Sequence, residues 1–233
     1  MTKWKIIIPK DFEVSDNEYQ IDGKKYYRVT STLGIIAKHR LMNWMKKVGE
    51  KEANQILATR QALGITVHKL IELTLKDEVY NLGTYETEIQ EGLCKFYEFK
   101  QLANLVPDAL EQRLWSNKYN FAGTADYIGK YKSTEKFLVN TRDEGKNPKF
   151  KDGGYVVGDW KTSKDFYPTY WLQLGAYLVA FEELTGIELD GGFICLIRNG
   201  KLKIKEKTRK ELLKDFEIYK HVIEVYKWWK HVE

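Results

Sequence analysis

The apolar residues of this chain change their spacing at Pro107. Before it, they recur with a helical period. Leu33, Ile36, Leu41, Trp44 and Met45 form one stripe, capped by Thr30-Ser31-Thr32, in a helix expected to end near Val48. Further helices are expected over about 51–76 and 86–105. After Pro107, the segments 109–115, 121–131 and 155–160 read as strands. Pro168 suits the first position of a helix running to about Leu184, and a last helix covers about 208–229. Two hairpins frame this pattern, one around Asp22-Gly23 and one around Asn199-Gly200. The order predicts an α/β fold: a central mixed β-sheet flanked by helices, with an N-terminal hairpin and helices ahead of it.

No internal repeat and no Pro/Gly/Ser-rich linker divides the 233 residues, so a single domain is expected. Within it, 1–106 would form the hairpin and helical part, 107–205 the sheet core and 206–233 the closing helix. The polar stretch 133–154 reads as a mobile loop. Residues 201–214 hold seven Lys/Arg and two Glu, which accounts for the whole net charge of +5. A uniformly basic, nucleic-acid-coating protein is thereby excluded, whereas a local basic patch is not. Cys94 and Cys195 are too few for a disulfide framework or a four-thiolate metal site. No apolar run approaches a membrane span, and Met1–Lys10 lacks a signal peptide's apolar region. The chain reads as cytoplasmic, or as carried by a virus that replicates there.

The chemistry concentrates in Gly158-Asp159-Trp160-Lys161. On a strand, Asp159 and Lys161 point to one face, roughly 6–7 Å apart. A carboxylate and an ammonium so placed suit metal-assisted phosphodiester hydrolysis, although a lone Asp-x-Lys is far more often a surface ion pair. Asp126 sits inside the otherwise apolar strand 121–131, where a carboxylate must meet a cation or hydrogen-bond donors. Magnesium is commonly held by one or two carboxylates with water and substrate phosphate, so acids from neighbouring strands suffice. His68 and Glu72 share one face of the second helix, and a neutral imidazole there could complete a metal shell. Glu111 precedes Asp126 on the adjacent strand, as an extra ligand, a more distant support or a solvated residue. Gln173 and Tyr177 share a helical face, where an amide and a phenol can bond phosphate oxygens, orient Lys161 or simply pack.

In that order, Gly64…His68, Glu111, Gly123…Asp126, Asp159…Lys161 and Gln173…Tyr177 resemble the motifs of the PD-(D/E)XK nucleases of the RecB type. The resemblance spans about residues 25–180, and its opening, Tyr27-Arg28-Val29-Thr30-Ser31-Thr32-Leu33-Gly34, is similar to that of viral and mitochondrial exonucleases of this group. It implies a restriction-endonuclease-like core. It also implies His68, Asp126, Asp159 and the Trp160 carbonyl as ligands of one or two Mg or Mn ions, with Lys161 as catalytic lysine and Gln173 and Tyr177 as supports for phosphate or Lys161. Asp159 stands where many members carry Glu, and the two cysteines exclude the four-cysteine iron–sulfur cluster of some members.

The expected activity is metal-dependent hydrolysis of DNA, exonucleolytic, on single strands or duplex ends, in replication, recombination or repair. Asp126, Asp159, Lys161 and Glu111 are the expected catalytic group. Tyr170 and Lys164 join Gln173 and Tyr177 as expected substrate contacts, and Phe166, Tyr167 and Trp171 are further aromatics that could stack on bases. DNA is the expected partner, no membrane is, and self-association stays open. An endonuclease with the same core and a catalytically silent DNA-binding module are the alternatives.

Overall fold

The computed structural model describes residues 4–15, 17–139 and 148–232. Three strands open the chain: β1 (Glu13–Val14), β2 (Glu18–Ile21) and β3 (Lys24–Arg28). Helices α1 (Val29–Val48), α2 (Glu50–Leu75) and α3 (Thr87–Leu102) follow. Then come β4 (Val106–Ser116), β5 (Phe121–Tyr131), β6 (Gly154–Lys161), α4 (Pro168–Thr185), β7 (Gly191–Arg198), β8 (Lys201–Thr208) and α5 (Arg209–Val232). The fold is α/β, an eight-stranded mixed sheet flanked by helices.

Both turn pairs adopt the left-handed backbone that two-residue hairpins require: Asp22 and Gly23 have φ 49° and 71°, Asn199 and Gly200 have 48° and 65°. Elsewhere tertiary pairing displaces the expected boundaries. β3 pairs parallel with β5 through Tyr27↔Phe121 and Arg28↔Ala122, so Arg28 stays extended and α1 starts directly after it. Thr30, Ser31 and Thr32 therefore lie inside the first turn, with Arg28 at the N-cap; Thr32 Oγ1 donates to the Val29 carbonyl at 2.7 Å. The α1 stripe is also only partly buried. Leu33 is in the core, while Ile36 and Leu41 are exposed on the distal part of the helix.

Pro107 does not precede the strand but lies within β4, where the register with β5 shifts between Pro107 and Ala109. An irregular strand with only one partner tolerates the missing N–H. Part of the expected loop 133–154 falls outside the described residues. The described part is anchored, because Phe137, Leu138 and Phe150 are buried.

The strand order is β1-β2-β3-β5-β6-β7-β8, with β4 along the other edge of β5. The first hairpin thus belongs to the same sheet as the strands after Pro107, and the expected division at 106/107 is crossed. One face packs Tyr127, Val156, Trp160 and Phe193 against Val67, Leu70, Phe96 and Phe99 of α2 and α3. The other packs Ala125, Ile128, Val157 and Ile194 against Leu174, Leu178, Phe216 and Tyr219 of α4 and α5. One edge of β5 is shared: β3 takes Phe121 and Ala122, and β6 takes Tyr127 to Tyr131. Residues 123–126 lie between these two partners, and the site forms at that parting.

Candidate metal and catalytic site

Where β6 leaves β5 at Gly158, the next backbone donor of β6 loses its strand acceptor. A buried N–H must find another. Asp126 supplies it: its Oδ2 accepts the Trp160 N–H at 2.8 Å. The hydrogen-bond donor that an acid in this strand needs is thus the Trp160 N–H. His68, on α2, lies 3.6 Å from Asp126 Oδ2 through Nδ1 and 2.9 Å from the Trp160 carbonyl through Nε2. A close helix–strand approach puts it there. A Cβ on Gly64, one turn earlier, would stand 3.3 Å from Thr162 Oγ1 at the end of β6.

Glu111 sits opposite Asp126 between the pairs Leu110↔Tyr127 and Gln112↔Ala125, with a left-handed φ of 50°. Such a backbone is uncommon for a non-glycine residue inside a strand. Ligand atoms of His68, Glu111 and Asp126 lie within 4.8 Å of one another. One side of Glu111 stays open to solvent. Even so, partial removal of its carboxyl from water and the charge of Asp126 push it up to about 7.

Asp159 forms a second group. It is 1% exposed, and its Oδ1 accepts from Lys161 Nζ at 2.9 Å and from Gln173 Nε2 at 3.1 Å. Oδ2 lies 2.7 Å from Lys161 Nζ but has no aligned hydrogen-bond donor, an orphaned oxygen in a buried place. Burial raises the Asp159 carboxyl, and the Lys161 ammonium offsets only part of that. On Lys161, loss of water pulls downward but Asp159 and Asp126 outweigh it and hold the ammonium above its ordinary range.

Gln173 and Tyr177 are turned inward. Gln173 Nε2 also donates to Tyr177 Oη at 3.2 Å, and both side chains are buried. Gln173 thus hydrogen-bonds Asp159 on one side and Tyr177 on the other. Glu72, on the His68 face, is engaged by Lys69 at 2.9 Å and Lys76 at 2.5 Å. Tyr170 is half-buried under Lys161 Nζ, 5.0 Å from the ring centre.

His68, Trp160 and Lys161 line an open cleft of about 880 Å³, together with Lys164, Tyr167 and Tyr170. Sequence reasoning missed Arg60, Thr162 and Arg198, which line it too. Arg60 was detectable in principle, because 60, 64 and 68 fall on one helical face. Arg198 was not, since β7 brings it there from a distant part of the chain.

No family model and no curated protein matches the chain. The solved structure of SSO0001 is similar over 85% of this chain and 75% of its own, at 16% identity and a TM-score of 0.36. Among the described residues, no helix is long and apolar enough to cross a membrane.

Proposed function

We propose that this protein is a metal-dependent nuclease that hydrolyses DNA phosphodiesters, exonucleolytically, through the PD-(D/E)XK arrangement its motifs resemble. The observation that carries the reading is the convergence of Asp126 and the Asp159–Lys161 pair where β5 and β6 part, beside an open cleft.

The donor set fits a hard divalent cation. Carboxylates of Asp126 and Glu111, the Trp160 carbonyl and one imidazole are oxygen-rich ligands of the kind magnesium and manganese take, and the orphaned Asp159 Oδ2 offers a further acceptor. His68, Glu111, Asp126, Asp159 and the Trp160 carbonyl would hold the ion. When bound, it polarises the phosphate and acidifies a water. Lys161 keeps its proton between two carboxylates and presents a fixed positive charge at the cleft, suited to steady an attacking water or a phosphate oxygen. Gln173 fixes the Asp159 carboxylate that holds Lys161, and Tyr177 in turn braces Gln173. Tyr170, Tyr167 and Lys164 line the route by which a strand would enter.

A labelled oligonucleotide incubated with magnesium tests this. Wild type is expected to cleave it, with Asp159→Ala and Lys161→Ala reduced by orders of magnitude; undiminished cleavage by both variants overturns the assignment. Linear and circular single strands compared in the same assay separate exonuclease from endonuclease action, since a circle offers no end. Magnesium-dependent binding without turnover would favour the silent binding module.

A further inference from the structure

The positive charge on β8 shares a face with the catalytic pair. Across β6 and β7, Asp159 pairs with Ile194 and Lys161 with Leu196. Across β7 and β8, Ile194 pairs with Lys205, Leu196 with Lys203 and Arg198 with Lys201. Paired residues project to the same side of a sheet. Two rows, Asp159–Ile194–Lys205 and Lys161–Leu196–Lys203, therefore cross three strands on one face. Two strand spacings put the lysines about 10 Å from the Asp159–Lys161 pair.

Ile194 and Leu196 between them are buried, so the cleft and the β8 lysines are joined past them, at Lys164 and Arg198. Two grooves of about 190 Å³ each run along this face of β8. One is lined by Arg198, Lys201 and Lys203, the other by Lys203, Lys205 and Phe166 with Asp165, and Lys164 lines both. Lys164 and Arg198 also line the large cleft. Lys164, Lys201 and Lys203 make no ion pair with a described residue, whereas Lys69, Lys76, Lys100 and Lys136 each do. The run stops at Lys207, which pairs with Asp215 at 2.6 Å and lies over Trp171.

Lysines can protect the edge of a sheet from other chains. The outer edge of β8 is already engaged at its centre, where the Ile204 N–H donates to Phe137 at 2.8 Å and its carbonyl accepts from Val139 at 3.1 Å. Backbone pairing thus already covers the centre of this edge.

We propose that Lys164, Arg198, Lys201, Lys203 and Lys205 form a phosphate track that guides a single nucleic-acid strand between the cleft and the far end of β8. This rests on the nuclease reading and deepens it by assigning the path of the strand beyond the cleaved bond.

The test is fluorescence anisotropy with labelled oligothymidylates of increasing length, in EDTA, over a series of salt concentrations. The triple variant K201Q/K203Q/K205Q is expected to bind long oligomers more weakly. Its slope of log affinity against log salt should be shallower by about 2, at about 0.7 per lost phosphate contact. A control triple, K69Q/K95Q/K136Q, removes the same charge elsewhere and should leave the slope unchanged. Thermal melts check that both variants fold, and the single variant K203E, expected to weaken binding in the same direction, serves if the triple does not. An unaltered slope in K201Q/K203Q/K205Q, or an equal fall in the control, overturns the track. If wild type still cleaves with magnesium and Asp159→Asn does not, that failure belongs to the track alone. If wild type neither binds nor cleaves DNA, the nuclease reading fails and the track with it.

Discussion

The Asp126 carboxylate accepts the Trp160 backbone N–H at 2.8 Å, standing in for the strand partner that β6 loses beyond Gly158. One side chain thus ties two strands together at the point where they separate. Asn at 126 keeps an acceptor oxygen without the charge, whereas Ala leaves a buried N–H unpaired. Asp126→Ala should cost about 1–3 kcal/mol of stability and Asp126→Asn clearly less. Manganese binding should weaken in both. Urea melts in EDTA and a manganese titration separate these effects; equal destabilisation by the two variants would mean the bond to Trp160 contributes nothing.

Glu111 gives the metal-free protein a pH dependence of defined sign. Its carboxyl rises from an ordinary 4.5 to about 7 in the folded chain, because it is drawn partly out of water beside Asp126. A raised carboxyl binds its proton more tightly when folded, so its contribution is most favourable below pH 4.5 and is lost as pH climbs from there to about 7. Melting temperatures in EDTA should therefore fall across that window more steeply in wild type than in Glu111→Gln. Added magnesium should raise the melting temperature more at pH 8 than at pH 5.5, since only an ionised Glu111 can ligate. Parallel pH profiles for wild type and variant would remove Glu111 from the acidic cluster.

Lys161 neutralises a carboxylate that is 1% exposed. Lys161→Met leaves that charge buried and unpaired, at a cost of about 3–5 kcal/mol. The double variant D159N/K161M removes both charges and should recover much of the loss, though neither variant should cleave DNA. Chemical denaturation of wild type, Lys161→Met, Asp159→Asn and the double variant closes the cycle. A double variant no more stable than Lys161→Met would place the cost in packing of the lysine stem rather than in its charge.

The parts of this fold that were legible in the sequence are those decided by neighbours in the chain. Asp22-Gly23 and Asn199-Gly200 specify their own turns, Pro168 opens α4, and Asp159 and Lys161 meet because they are two residues apart on one strand. The start of α1 was not legible, because it is set by the pairing of Arg28 with Ala122 far along the chain. Nor was the burial of Phe137, Leu138 and Phe150 within a polar stretch, which only the finished sheet creates. The same division runs through the site. The motif order pointed to His68, Glu111 and Asp126 together. What it left undecided was that Gln173 and Tyr177 face inward onto Asp159, because the two sides of α4 are both largely apolar and only packing selects between them.

Gly123 is the position where that packing is most demanding. A Cβ built there would lie 2.4 Å from the Tyr177 ring, well inside contact distance. The ring cannot retreat freely, since Tyr177 is buried and its hydroxyl takes the Gln173 amide. Gly123→Ala should therefore displace Tyr177, and with it the support of Gln173 on Asp159. Overpacking of this kind costs about 1–3 kcal/mol. In Tyr177→Ala the clash vanishes, so G123A/Y177A should be no less stable than Tyr177→Ala alone, a coupling that a double-mutant cycle measures directly. Cleavage by Gly123→Ala should drop even though no ligand or lysine has changed. Full activity together with additive stabilities would show that the Tyr177–Gln173–Asp159 chain does not position the site.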